Sequence, residues 1–390
     1  MSKLDAVQNE AAEPQKGDKL MDNSGILRVP LTEEDSKRIC HKTDRTILVV
    51  LAWVYFLQIL DKTVLGYGAT FGLQADTGLT VGLITVVSAP IIYWRLDNDI
   101  STARFLNDKE KAQGMERLRA NQTGTGNTEF KFSHVLEACL EPKTYLWIGM
   151  TMLLNIGASV TNVFGPLIIS GLGYDKYRTT LLTMPFGALQ FIIILLASYL
   201  AQTARVKSVI IAAFMLPVIA GLAILYAVAR TKSVQNQLLA GYYLLAFLFG
   251  GNPLIVTWII GNTAGTTKKS VIMSFYSAAS SAGNIIGPLL FNEKDKPAYH
   301  LGLRACLGIF STLAAVILIQ WANLWLLNQQ QARRRLKNGK RAEMVDLSMQ
   351  NNYHDMQDKL EEAGHETVQV GDNAFQDLTD RENDEFVYIY

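Results

Sequence analysis

Cysteine is scarce in this 390-residue sequence, and an excess of charge of either sign is missing. The three cysteines, Cys40, Cys139 and Cys306, form neither a CxxC pair nor a metal-ligand spacing, so we expect no disulfide framework and no metal site. The 36 basic and 35 acidic residues nearly cancel, which argues against a nucleic-acid partner. The signatures HExxH, GxSxG and the P-loop are also absent, so neither an enzyme nor a cofactor is expected.

Long apolar runs are what the sequence has instead. About 20 residues of helix cross a hydrocarbon core of roughly 30 Å, and eight runs approach that length. The polar first 45 residues lack the basic segment and apolar run of a cleaved signal peptide, so we expect the first span to direct insertion. The predicted spans are residues 46–68, 79–94, 145–169, 181–201, 208–229, 238–260, 271–291 and 302–327.

Lysine and arginine between the spans predict the orientation. Residues 37–45, 95–144 and 333–341 are rich in both, and eight spans place all three segments on the same side of the membrane. The positive-inside rule makes that side cytoplasmic. The sequence therefore predicts a multi-pass membrane protein with both termini in the cytoplasm.

Three segments outside the spans have distinct compositions. Residues 1–45 form a polar tail, and residues 95–144 form a central connection with two predicted helices, DKEKAQGMERLRANQ and FSHVLEACLEP. Residues 328–390 are acidic beyond the basic start, and their few aliphatic side chains bury too little surface to offset the entropy of ordering. We therefore predict a mostly disordered C-terminal tail.

Polar residues inside the spans are candidates for a substrate or proton pathway. Asn155 and Asn162 are seven residues apart and share one helix face. In the span 271–291 a polar stripe recurs at i, i+3, i+4 and i+7: Ser277, Ser280, Ser281 and Asn284. Two interpretations stay open, because Asn284 and the serines either line a cavity or support helix packing.

Glycine and proline mark two further positions. The stretch FGGNPL, residues 249–254, brings helix-weakening and polar residues to mid-membrane: Gly250, Gly251, Asn252 and Pro253. Proline removes a backbone donor, so this stretch predicts a hinge beside a cavity or a kinked packing helix. Gly283 and Gly287 form a GxxxG pair, which predicts close helix packing.

An acid and a base interrupt the first span. With the helix starting near residue 46, Asp61 lies about 22 Å along it at 1.5 Å per residue. Lys62 is adjacent and reaches the interface by its long stem, whereas Asp61 has a short stem. Ionisable groups at such depth mark a pathway or proton relay, unless the helix ends earlier and leaves both groups in water.

Five stretches in order along the chain carry a family resemblance. They are residues 60–80 (LDKTVLGYGATFGLQADTGLT), 103–124 (ARFLNDKEKAQGMERLRANQTG), 238–254 (LLAGYYLLAFLFGGNPL), 261–302 (from GNTAGTTKKS to PAYHLG) and 377–390 (DLTDRENDEFVYIY). Together they resemble the fungal allantoate permease family, anion:cation symporters of the major facilitator superfamily.

The resemblance implies a secondary transporter with its substrate site near the membrane midplane. It implies proton-coupled uptake of small organic anions such as allantoate, ureidosuccinate, nicotinate or pantothenate, with the proton as coupling ion. The lipid bilayer and the anion are then the partners, and nutrient import favours the plasma membrane. Asp61 and Lys62 lie in LDKT, which is similar to the L-D-R-T of the family near the end of its first helix.

The chain departs from this family in helix number. The family has twelve helices, whereas about eight are counted here, and material equivalent to helices 2–5 is absent after residue 80. Residues 46–94 then form a remnant of the N-terminal half, and residues 145–327 form a complete six-helix C-terminal half. The fold expected is an all-α major facilitator fold with an incomplete N-terminal half. Two functions stay open, a proton-coupled permease or a truncated, non-transporting isoform or incomplete gene model.

Overall fold

The computed structural model shows an all-α protein in two compact units. These are Met1–Gly126 with Gln350–Gln376, and Asn127–Met349 with Asp377–Tyr390. Every regular element among the described residues is helical. The structure describes residues 32–54, 57, 78–97, 100–119, 129–162, 165, 169, 176–229, 234–291, 295, 299–340, 342, 373 and 376–390.

The first unit contains the α-helices α1 (Glu33–Thr43), α2 (Gly78–Arg95) and α3 (Asp108–Arg119), and a π-helical turn at Asp44–Leu48 leads from α1 into further α-helical residues, 49–54. The side chain of Thr32 caps α1 by accepting from the backbone N–H of Asp35. Charged contacts join α1 to α3, with Lys42 Nζ 2.6 Å from Glu110 Oε2. Helix α3 confirms the first helix predicted for the central connection.

The described part of the second unit contains eight α-helices. They are α4 (Phe132–Leu140), α5 (Pro142–Asn162), α6 (Lys176–Ala204), α7 (Lys207–Ala227), α8 (Gln235–Leu244), α9 (Leu248–Gly261), α10 (Thr266–Leu289) and α11 (His300–Lys337). Helix α4 confirms the second predicted helix, and Pro142 begins the next one because proline fits the first helical turn.

Four stretches of the described chain are long and apolar enough to cross a membrane. They are Leu181–Ala204, Lys207–Ala227, Gln235–Gly261 and His300–Lys337. The third comprises α8, a 3-10 turn at Leu245–Phe247 and α9 in one run without a loop. The predicted all-α membrane class is confirmed.

Helix α5 holds the second unit together. It packs along α10 and α11 and also contacts α9, and a T-shaped contact places the rings of Trp147 and Trp258 4.8 Å apart. Both tryptophans are buried. Helix α5 therefore packs along a candidate span, α11.

Two predicted boundaries differ from the structure. The last span was predicted to end at residue 327, but α11 continues without a break to Lys337. The extension persists because Gln331 and Arg335 are buried and donate to backbone carbonyls of residues 380–384. The predicted break at Gly250–Pro253 is instead helical, and the irregular turn comes earlier, at Leu245–Phe247.

Gly283 allows the closest approach between α10 and α5. A Cβ at this position would lie 2.7 Å from Asn155 Cβ and 2.8 Å from Met152 O, closer than real Cβ atoms come. Gly250 plays the same part where α9 meets α7, because a Cβ there would lie 2.7 Å from the Phe214 ring. These glycines are therefore packing positions.

Replacement of Gly283 by alanine is expected to lower thermal stability, because the new methyl group collides with the backbone of α5. Gly149 is the matched control, since a Cβ there meets nothing within 4 Å and alanine favours helix by about 1 kcal/mol. Melting temperatures in detergent should fall for Gly283→Ala and stay equal or rise for Gly149→Ala. Equal melting curves would show that α10 and α5 separate without cost.

Candidate functional site

Helix α10 turns a polar face outward. The exposed side chains on this face recur at helical spacing: Ser274, Ser277, Ser281 and Asn284. The opposite face, with Ala279, Gly283 and Gly287, is buried against the bundle. Of the predicted stripe, Ser280 is half-buried and the other three members are exposed. We call the four exposed residues the polar face of α10.

The polar face of α10, which the exposed Ile285 and Leu289 flank, differs from the outer face of α6. Helix α6 exposes large apolar side chains instead: Leu181, Met184, Phe191, Ile192, Leu195 and Tyr199. Such a surface fits lipid. Hydroxyl and amide groups in hydrocarbon lose hydrogen bonds to water, and the oxygens of the four side chains in the polar face of α10 remain as acceptors that water or a polar partner can satisfy. The polar face of α10 is therefore suited to a water-filled cavity.

Asn284 contacts Asn155 across the α10–α5 interface. Its Nδ2 lies 3.4 Å from Asn155 Oδ1 and donates to Ser280 O at 2.8 Å. Asn155 Nδ2 donates to Thr151 O at 2.8 Å. The two predicted asparagines are thus brought together. They lie beside Gly283, which lets their helices approach.

Asn252 forms a second polar pair with α10. Tyr276 donates its hydroxyl hydrogen to Asn252 Oδ1 at 3.0 Å, and Asn252 is exposed. Its neighbours Gly250 and Gly251 are buried, against Phe214 and Met215. The stretch predicted as a cavity or hinge therefore separates into buried packing glycines and one exposed amide.

The polar face of α10 carries no charge. Ser274 and Ser277 donate to the carbonyls four residues before them, at 2.9 and 3.0 Å. Their oxygens remain as acceptors. Between Ser270 and Leu289 the sequence has no aspartate, glutamate, lysine, arginine or histidine. The counter-charge for a charged ligand must therefore come from residues outside the polar face of α10.

Three predicted site residues cannot be placed. Asp61 and Lys62 lie outside the described residues. Asn162 ends α5, and its side chain is also outside the described part. Their roles stay predictions.

A second cluster, which the sequence did not predict, surrounds the buried ammonium of Lys268 at the start of α10. Its Nζ lies 2.7 Å from Glu137 Oε1, 2.7 Å from Glu141 Oε1 and 2.9 Å from Asp380 Oδ1. Three such carboxylates resemble a cation site, but Lys268 occupies the position that a metal ion would take. We call Glu137, Glu141, Lys143, Lys268 and Asp380 the charge cluster.

Asp380 is the centre of the charge cluster. It pairs with Lys143 and Lys268, and Tyr388 donates its hydroxyl hydrogen to Asp380 Oδ2 at 2.7 Å. Lys143 Nζ also donates to Asn262 O at 3.2 Å. One carboxylate from the end of the chain thus joins the starts of α5 and α10.

Opposing effects set the pKa values in the cluster. Burial disfavours the ionised form of Asp380, but the ammonium groups of Lys143 and Lys268 outweigh burial and hold its pKa below the usual range. Burial also works against the charged Lys268, yet the surrounding carboxylates raise its pKa. Burial raises the pKa of Glu141, and burial with the charge of Asp380 raises that of Tyr388.

The residues Asp377–Tyr390, here called the C-terminal segment, lie against the helix ends. Trp258 Nε1 donates to Ile389 O at 2.8 Å, and Asn262 exchanges two hydrogen bonds with Ile389. Asn328 likewise donates to Tyr388 O and accepts from Tyr388 N, at 2.8 and 2.9 Å. These contacts correct the prediction of disorder for this part of the tail. Residues 343–372 lie outside the described chain.

The sequence contained a signal for this segment. Phe386, Tyr388 and Ile389 are buried, and they belong to the apolar ending FVYIY of an otherwise acidic tail. The prediction of disorder rested on the composition of the whole tail, in which these five residues carry little weight. Asp380 belongs in the folded segment because the buried Lys143 and Lys268 need its counter-charge.

Asp380→Asn is expected to destabilise the protein, because two buried ammonium groups lose their shared carboxylate. Breaking a buried pair costs roughly 3–5 kcal/mol, and the melting temperature in detergent should fall. Asp108→Asn is the control, since Asp108 is exposed and pairs with Lys111 at 3.4 Å, a contact worth about 0–1 kcal/mol. Equal melting temperatures for both variants would contradict the role of Asp380.

The pKa of Asp380 fixes the pH range of this effect. Because its folded pKa is depressed, its contribution is present above an ordinary aspartate pKa of about 3.9 and is lost as the pH falls towards the folded value. The difference in melting temperature between wild type and Asp380→Asn should therefore persist across pH 5–8.

The chain resembles fungal transporters over most of its length. It is 31% identical over 312 residues to the MFS-type transporter cnsL of Penicillium expansum, covering 80% of this chain and 58% of that protein. It is 28% identical over 316 residues to the allantoate permease of Saccharomyces cerevisiae, covering 79% and 53%. It is also 28% identical over 328 residues to the thiamine pathway transporter THI73 of that yeast, covering 83% and 56%.

The chain spans little more than half of the length of these relatives. No family model and no solved structure matches the chain. The candidate spans, the polar face of α10 and the similarity to named transporters all indicate a transport protein of the membrane. The chain is an all-α, multi-pass membrane protein that is similar to fungal transporters, one of which is named as MFS-type.

Proposed function

We propose that the chain is a secondary active transporter that takes up small organic anions together with protons. The polar face of α10 is the observation that carries this proposal, because lipid-facing helices do not maintain such a face. The similarity to named transporters over about four-fifths of the chain supports the same class.

Small carboxylates are the substrate class proposed, such as allantoate, ureidosuccinate, nicotinate or pantothenate. The name of the yeast allantoate permease supports this choice. Asn284, Asn155 and Asn252 supply amide groups for the neutral parts of such molecules. Lys62 is the basic residue that the sequence offers for the carboxylate.

The proposal gives Asp61 the proton. An aspartate inside the membrane binds a proton at a lower cost than it retains its charge, so a coupling site there is physically reasonable. The proton is then the coupling ion, and no other cofactor is needed. We place the protein in the plasma membrane, which nutrient import favours, and both termini in the cytoplasm, which the distribution of basic residues favours.

Asn284→Leu is expected to reduce uptake about tenfold or more, because loss of a hydrogen bond worth roughly 1.4 kcal/mol changes binding tenfold. Uptake of the four labelled carboxylates should be measured in fungal cells that lack their own carriers, with surface amounts matched. Thr312→Val is the control, since this exposed hydroxyl of α11 donates to Gly308 O within its own helix. Unchanged uptake in Asn284→Leu would remove the polar face of α10 from the substrate path.

Asp61→Asn is expected to abolish uptake driven by a proton gradient while leaving the membrane amount unchanged. The asparagine keeps the size of the side chain but cannot bind a proton. Uptake should be followed with and without an imposed pH gradient, with Asp108→Asn as an exposed control. Gradient-dependent uptake by Asp61→Asn equal to wild type would exclude Asp61 as the proton site.

A second candidate is a truncated, non-transporting isoform or an incomplete gene model. The coverage of the relatives, 53–58% of their lengths in three cases, is the observation that favours it. Alternating access requires two halves that rock against each other. Membrane-inserted wild-type chain without uptake of any carboxylate would support this candidate. Full-length sequencing of the messenger RNA shows whether four further helices are encoded after Thr80.

A further inference from the structure

Helix α4 exposes an apolar face outside the predicted spans. Phe132, Leu136 and Leu140 follow one another at i, i+4 and i+8, so they share one side of the helix. Their exposed fractions are 71%, 52% and 70%. Three large side chains in a row leave a continuous apolar strip on this helix.

The opposite side of α4 is fixed by the charge cluster. His134 and Ala138 are buried, and α4 packs against α10. Glu137 pairs with Lys268 and accepts a hydrogen bond from Thr379 Oγ1 at 2.9 Å. The polar side of the helix therefore points into the protein and the apolar side points out, the reverse of a surface helix in a soluble domain.

The location of α4 indicates what covers its apolar side. Only Glu141 separates α4 from α5, which packs along the candidate span α11. Tyr145 at the start of α5 is 62% exposed and donates its hydroxyl hydrogen to Cys139 O at 2.7 Å. Phe130, just before α4, is 70% exposed. Tyrosine side chains concentrate at the boundary between membrane and water.

We propose that α4 is an interfacial helix that lies on the membrane surface, with Phe132, Leu136 and Leu140 inserted at the boundary between headgroups and acyl chains. A lipid surface is the partner because the strip is continuous with the start of α5, which packs along the candidate span α11. The charge cluster holds the helix from the other side and prevents it from rolling. The proposal does not depend on whether the chain transports.

Spin labels on the full chain in phospholipid nanodiscs test the proposal. The background replaces the native cysteines (Cys40→Ser, Cys139→Ser, Cys306→Ala), and single cysteines are placed at Phe132, Leu136 or Leu140. Each labelled protein must elute as one species, and three sites guard against the failure of one variant. Collision rates of the label with oxygen, which enters lipid, and with a water-soluble nickel chelate are then compared.

Two control sites define the ends of the scale. Leu318 is 55% exposed on the candidate span α11, so its label should be accessible to oxygen and shielded from nickel. Lys109 is exposed on the charged helix α3, so its label should be accessible to nickel. The proposal expects the α4 labels to show an oxygen-to-nickel ratio clearly above that of Lys109 and below that of Leu318, because the boundary between headgroups and acyl chains is shallower than the middle of a span.

Two other results would overturn the proposal. A ratio near that of Lys109 at all three sites would mean that the strip faces water. Strong immobilisation with low access to both reagents would mean that protein covers the strip, either another part of this chain or a second copy. A dipolar broadening measurement between labels on separate molecules distinguishes these two.

Discussion

Two lysines buried at one end of the helical bundle cannot remain charged without counter-ions. Lys143 at the start of α5 and Lys268 at the start of α10 are both almost fully buried, and both pair with Asp380. The cost of transferring each ammonium from water is several kcal/mol, so the carboxylate is a condition for the folded state. The C-terminal segment is therefore an integral part of the second unit, although it follows α11 by about forty residues in the sequence.

The same segment sets the lengths of the helices that it contacts. Helix α11 measures roughly 57 Å at 1.5 Å per residue, nearly twice the hydrocarbon thickness. Its last turns carry polar residues and are not needed to cross the hydrocarbon. Gln331 and Arg335 are buried because they donate to carbonyls of the C-terminal segment. The extension beyond residue 327 and the order of the segment therefore depend on each other.

Sequence predicted local features well and long-range ones poorly. The spans around α6, α7 and α11 follow from length and apolarity, and the polar face of α10 follows from spacing along one helix. The pairing of Asn284 with Asn155 joins residues 129 positions apart, so no local pattern contains it. The role of Asp380 could not be predicted for a related reason. An acidic tail indicates disorder unless the buried lysines that its carboxylates pair with are known.

The charge cluster and the apolar strip of α4 belong to one arrangement. Glu137 and Glu141 face inward because Lys268 draws them, and at helical spacing this rotation turns Phe132, Leu136 and Leu140 outward. Water is a poor solvent for that strip, and lipid is the apolar phase beside the start of α5. A strong ionic contact inside the protein thus determines which helix face meets the membrane, and the lipid reinforces the orientation that the contact requires.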